Sequence, residues 1–175
     1  CSSDLSMAPH TLAMALNSPN GWQRDPAQRL LVDGSKTNTI PELERLARRA
    51  RLPQVRVQAL ATLDGLGHVS DKVLITALAD AHPAVRQHAV RLAEPELRSG
   101  KASPKLITSL LDHVEDPHPN VRYQLAFTLG EWSDPKAAHA LARLAMRGSD
   151  DPDQQAAIAT SLRPHAASFL QDRKS

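Results

Sequence analysis

Eight histidines, one cysteine, and 21 basic against 19 acidic side chains are the reactive material of this chain. The cysteine is Cys1, so an internal disulfide, a paired-cysteine zinc site and a Cys-x-x-Cys-His haem attachment are excluded within these residues. If Cys1 followed a signal peptide it could carry lipid. His82 and His118 hold the same place in successive copies of a repeated pattern. Stacked helices pack about 8–10 Å apart, too far for two equivalent residues to share one metal at bonds near 2 Å. Both are expected to be exposed turn residues. His113 and His118 lie close in sequence but have no third ligand beside them, so no metal is expected. A Gly-rich phosphate loop, a His-Glu-x-x-His pair and a nucleophile elbow do not occur. The reading is a non-enzymatic chain without a cofactor.

The repeated pattern is the stronger signal. A proline is followed by Val, Arg and a small or apolar residue in Pro53, Val55, Arg56, Ala59, again in Pro83, Val85, Arg86, Ala89, and in Pro119, Val121, Arg122, Leu125. Arg56 to Arg86 is 30 residues and Arg86 to Arg122 is 36. Weaker copies fall 32 residues upstream at Arg24 and 33 downstream at Gln155. Five such units fill the chain, and a period of this length means stacked units that bind partners more often than they transform them.

The elements that must position these residues are helices. Hydrophobic content is 41% but aromatics are only Trp22, Tyr123, Phe127, Trp132 and Phe169, so packing rests on Leu, Ala and Val, a vocabulary for close helix contacts. Val73, Leu74, Ala77 and Leu78, then Val85, Ala89, Leu92 and Ala93, give two apolar stripes at helical spacing within one unit. Ser103, Asp134 and Asp151 each precede a proline and read as N-caps. Thr39 with Glu42 reads as a capping box. Pro53, Pro83 and Pro119 open second helices, and Pro26 should make the first unit's second helix begin at Asp25 or bend there. Gly67, Gly100, Gly130 and Gly148 mark connections. Segments 34–38 and 94–103 read as polar loops.

Six residues separate Asp80 from Arg86 and Asp116 from Arg122. That offset puts the Asp at an inter-helix turn and the Arg in the next helix, where charge-assisted hydrogen bonds tie neighbouring units. These residues resemble the Asp and Arg ladder of HEAT repeats of the short, roughly 30-residue kind. The resemblance implies an all-α, right-handed α-solenoid of about five helix pairs, with second helices lining the concave side. The position of the Asp is Ala50 before Arg56 and Ser18 before Arg24, so the ladder should be incomplete at that end, and Gln155 breaks it at the other.

Candidate contact residues on the second helices are Gln54, Gln58, Gln87, His88, Tyr123 and Gln124. Trp22 and Trp132 sit at helix ends, where Trp serves either as a binding anchor or, the favoured expectation here, as packing. Arg45, Arg48, Arg49, Arg51 and Arg56 form the one basic cluster, read as a solvated face beside Glu42 and Glu44. The net charge of +2 is small, with ten basic and eight acidic residues through position 88 and eleven of each beyond. No steering field for a polyanion follows, and nucleic acid is not the expected partner. No apolar run reaches the roughly 20 residues of a membrane span.

Read in order, SPNGWQRDPAQRLL at 18–31, VRVQALATLDGLG at 55–67, HPAVRQHAVRLAEP at 82–95 and VRYQLAFTLGEWSDPKAAHALARLA at 121–145 resemble the HEAT segment of large exported proteins from planctomycetes and verrucomicrobia. There it lies between a propeller-like, dehydrogenase-type domain and a C-terminal cytochrome c module. The resemblance implies a single HEAT domain over 1–175, excised from a periplasmic or cell-surface redox protein, acting as a spacer and docking platform. Its partner would be a protein or a neighbouring domain of the same chain. An alternative is a DNA-repair enzyme similar to HEAT-like alkylpurine glycosylases, drawing on Arg45 to Arg56, Trp132 and Asp134. A third reading, a lyase-like chaperone for bilin or another prosthetic group, shares only the short repeat.

Overall fold

A computed structural model of the chain describes residues 8–148 and 150–172, the stretch 163–172 by backbone alone. Cys1, and with it the lipid expectation, lies outside the described residues. Contacts cluster into two compact units, residues 1–85 and 86–175. No strand occurs among the described residues.

In the first unit α1 (Pro9–Leu16) packs on α2 (Gly21–Asp33), and α3 (Ile40–Arg49) packs on α4 (Pro53–Gly65). Further contacts join α2 to α4 and α3 to α5 (Asp71–Leu78). The apolar spacing explains the pairing. Val55, Ala59, Leu60 and Leu63 of α4 are fully buried, and so are Leu43 and Leu46 of α3 with at most 1% exposure. Each such Leu contributes about 1.5–3 kcal/mol of burial, far more than the intrinsic helix preference of these short segments. The unit ends in the first turn of α6 (Pro83–Leu92).

The second unit holds the rest of α6, then α7 (Glu94–Arg98), α8 (Pro104–Asp112), α9 (Pro119–Gly130), α10 (Pro135–Arg147) and α11 (Pro152–Asp172). Leu106 and Leu110 of α8, Val121, Leu125 and Leu129 of α9, and Leu141 and Leu144 of α10 form its core. In this unit α9 packs closely on α11. Gly130 allows it: a Cβ there would lie 2.8 Å from Ser161 Cβ and 3.0 Å from its Cα, closer than real side chains approach.

The helix starts follow the expected chemistry at Ser103, whose hydroxyl accepts from Leu106 N, at Asp134, which accepts from Lys136 N, and at Asp151, which accepts from Gln154 N. Ser70 caps α5 in the same way. The capping box at Thr39 and Glu42 does not form. Thr39 sits in a short 3-10 turn (Thr37–Thr39) and donates its hydroxyl to Lys36 O at 2.6 Å, while Glu42 pairs with Arg45. The prolines open α4, α6 and α9 as expected.

Pro26 does not delay α2, which begins at Gly21 and runs through it. In the sixth helical position Pro removes a single intrahelical donor, to Trp22 O, and side-chain bonds from Arg24 hold the opening turn in place. The polar stretch 94–103 is not all loop. Leu97 is 3% exposed and anchors the short helix α7, and Gly100 takes φ +67 just after it, where Lys101 N bonds back to Glu96 O in the helix-ending pattern that favours Gly.

Candidate functional site

The recurring arginine occupies the fourth residue of its helix in every copy: Arg24 of α2, Arg56 of α4, Arg86 of α6 and Arg122 of α9. Helical side chains lean toward the N-terminus, so a long side chain at that position reaches back over the preceding turn. Arg24 Nη1 donates to Ser18 O at 2.9 Å and Pro19 O at 2.8 Å. Arg56 Nη1 donates to Ala50 O at 2.7 Å and Arg51 O at 3.3 Å. Arg122 Nη1 donates to Asp116 O at 2.9 Å and Pro117 O at 3.3 Å. Carbonyls between helices, which have no helical donor, are thereby satisfied.

The other edge of each guanidinium points forward along the chain. Arg56 forms a two-pronged pair with Asp80, Nε to Oδ2 at 2.7 Å and Nη2 to Oδ1 at 2.8 Å. Arg86 does the same with Asp116, at 2.7 and 2.8 Å. The carboxylate of Asp80 thus serves the arginine 24 residues before it, and that of Asp116 the arginine 30 residues before it. Arg24 Nε instead meets Gln58 Oε1 at 3.0 Å, and Arg122 Nε meets Gln154 Oε1 at 3.1 Å. The carboxylate ladder is thus incomplete at its N-terminal end, as Ala50 and Ser18 implied, but amides continue it at both ends. Gln155, in the arginine's own position in α11, donates to Ala145 O and Gly148 O at 3.0 and 2.9 Å, so it keeps the backward-reaching role.

Burial pushes the Asp116 carboxyl up, but the Arg86 hydrogen bond, the His118 N–H and the Arg86 and His113 charges outweigh it and hold the group below the ordinary carboxylate range. His82 is exposed as expected, whereas His118 is half-buried. Each opens a second helix, His82 Nδ1 accepting from Ala84 N at 3.2 Å and His118 Nδ1 from Asn120 N at 3.3 Å. No group of three His, Cys, Asp or Glu that could hold a metal occurs among the described residues.

Beside the first unit's arginines runs an open groove of about 390 Å³, lined by Arg24, Gln28, Gln54, Gln58, His82 and the apolar Val57 and Ala61 among others. Gln58 is its hub. Its Oε1 accepts from Arg24 and its Nε2 donates to Asp25 Oδ1 and Gln28 Oε1, both at 2.8 Å. Gln54 is exposed on the same wall. Two of the expected contact residues, Gln54 and Gln58, are thus brought together.

The second unit has a groove of about 350 Å³ lined by Tyr123, Phe127, Asp153, Ala156, Ala157 and Thr160. Tyr123 donates its hydroxyl to Asp151. That bond, with burial and the charges of Asp151 and Asp153, pushes the phenol up. The same bond, with the Gln154 N–H, draws Asp151 down. Gln124 is turned to Glu94 at 3.2 Å and to Thr128. Gln87 and His88 are half-buried on α6.

The two tryptophans part company. Trp132 is 7% exposed and belongs to the core, whereas Trp22, expected to pack, is 72% exposed on the first turn of α2. Trp22 is two residues from Arg24, and with Arg24 turned inward its neighbour on the helix faces solvent. Sequence reading missed Phe127, 48% exposed, although its spacing of four from Tyr123 places both on one helix face. Two members of the basic cluster are held by carboxylates. Arg56 is bound to Asp80 and Arg45 to Glu42. Asp134, the carboxylate of the DNA-repair alternative, caps α10.

The model of the HEAT repeats family matches residues 71–163, just over half of the chain. The chain belongs to the HEAT-repeat family. No curated protein matches it. The helices of this HEAT-repeat chain, packed in neighbouring pairs, belong to the α-solenoid class, and the arginine ladder is the device that links one pair to the next within each unit. No helix among the described residues is long and apolar enough to cross a membrane.

Proposed function

We propose that this HEAT-repeat chain is a non-catalytic protein-interaction platform whose contact surface is the groove beside its second helices. The observation that carries this is the first unit's groove, where Gln58 is held by Arg24, Asp25 and Gln28 while Gln54 stays exposed next to apolar Val57 and Ala61. Side chains already fixed before a partner arrives lose little entropy on binding, and alternating amide and apolar surface suits a polypeptide. The finer reading, a spacer and docking platform in a periplasmic or cell-surface redox protein, is supported by the likeness of 18–31, 55–67, 82–95 and 121–145 to such segments.

A photo-crosslinking residue at Gln54 in the full native protein should give a defined polypeptide adduct, and the same probe at Arg49, exposed on α3, should not. Equal labelling from both positions, or none, rules the reading out. Duplex DNA should bind without the steep salt dependence of a phosphate-contacting protein; a steep slope would favour the DNA-repair alternative.

A further inference from the structure

The arginines of the first unit are unequally satisfied. Arg56 gives Nε and Nη2 to the two oxygens of one carboxylate. Arg24 gives Nε to an amide oxygen and Nη1 to two carbonyls, and its Nη2 makes no hydrogen bond among the described residues. The cause is visible in the repeat. Asp80, six residues before Arg86, is the partner of Arg56; six residues before Arg56, where Arg24 would find the same partner, stands Ala50. Asp25 reaches the network through Gln58 Nε2, not through the guanidinium. Arg24 is 9% exposed and lines the groove. A guanidinium so far withdrawn from water, with neutral acceptors alone, keeps a charge that a carboxylate would compensate.

We propose that an acidic side chain of a bound polypeptide supplies that carboxylate, seated against Arg24 Nη2 in the first unit's groove, with Gln54 and His82 as flanking polar contacts. It meets at Arg24 the Nη2 donor that Arg56 gives to Asp80 Oδ1, while Arg24 Nε stays with Gln58. The neighbouring Val57 and Ala61 favour an apolar residue beside the acid. This rests on the interaction reading above and names the chemistry of the partner.

The test uses the full chain with three probes: a blocked pentapeptide carrying a central Glu between leucines, its Gln twin, and inorganic phosphate. The Glu peptide should shift the Arg24 Nε–H resonance and bind about tenfold more tightly than the Gln peptide. Ala50→Asp should fill the position from within and abolish that preference at unchanged helical content. Arg24→Gln should abolish it too, and serves if the Asp variant does not fold. Equal binding of the two peptides, no binding of either, an undiminished preference in Ala50→Asp, or phosphate acting as strongly as the Glu peptide each overturn the proposal. If the preference is absent while the Gln54 crosslink persists, the carboxylate inference falls alone; if both fail, the interaction reading falls with it.

Discussion

Arg56 and Arg86 end on carboxylates, whereas Arg24 and Arg122, at the outer positions, end on amides, and the difference follows what lies beyond each acceptor. Asp80 Oδ1 also accepts from His82 N at 2.8 Å, and Asp116 Oδ1 from His118 N at 2.9 Å. Both are surrounded by donors, and an acceptor-only group suits them. Gln58 must in addition donate to Asp25 and Gln28, and Gln154 must donate to Leu144 O at 2.8 Å. An amide accepts from an arginine and also gives hydrogens away, which an ionised carboxylate cannot do. The ladder therefore changes chemistry where its neighbourhood changes from donors to acceptors.

The largest break in this contrast is Asp116→Ala. It leaves the Arg86 guanidinium, with its side chain 13% exposed, without its carboxylate, and should cost about 3 kcal/mol in chemical denaturation. A loss under a quarter of that would mean that the inner pairs are no stronger than the amide ones. Next is Gln154→Glu. The position is fully buried, so the exchange strengthens the contact to Arg122 but removes the donor to Leu144 O and sets a carboxylate against that carbonyl. A net loss of about 1–2 kcal/mol is expected; a gain would show that charge, not donor capacity, decides the outer positions.

Ala50→Asp sharpens the contrast from the other side. Adding the carboxylate that the repeat lacks should stabilise the first unit by about 0.5–1 kcal/mol, read as a raised midpoint of thermal unfolding. The smallest effect is in acid. Because the folded-state carboxyl of Asp116 is held below its ordinary range, its contribution is complete above the unfolded-state value near 3.9 and fades as pH falls through the folded-state value. Asp116→Asn should flatten that part of the stability profile below about pH 4, and an unchanged acid slope would contradict the assignment.

Much of the fold was legible because local and repeated signals coincide. Pro53, Pro83 and Pro119 mark helix starts by what proline cannot do, and the apolar stripes of α4, α5 and α9 declare their buried faces by spacing alone. Less of the candidate site was legible. Gln54 and Gln58 were named because second-helix positions recur, and both line the groove, but Arg24 read as a weak repeat copy, and its place in a groove depends on Gln58, 34 residues away. Thr39 and Pro26 misled because capping and helix-breaking tendencies of about 1–3 kcal/mol yield to hydrogen bonds made by Thr39 to Lys36 and by Arg24 to Ser18, Pro19 and Gln58. Trp22 and Trp132 look alike in sequence, yet only contacts made by the rest of the chain settle which of them is covered.

By itself the sequence determined that the chain is a series of helix pairs with an arginine at one fixed place in the second helices up to α9 and Gln155 at that place in α11, since periodicity and proline placement act over neighbouring residues. Which acceptor each arginine meets was decided by tertiary structure alone. Asp80 and Gln58 lie 24 and 34 residues from their partners, and whether a carboxylate or an amide is suitable there depends on donors and acceptors that only packing brings within about 3 Å.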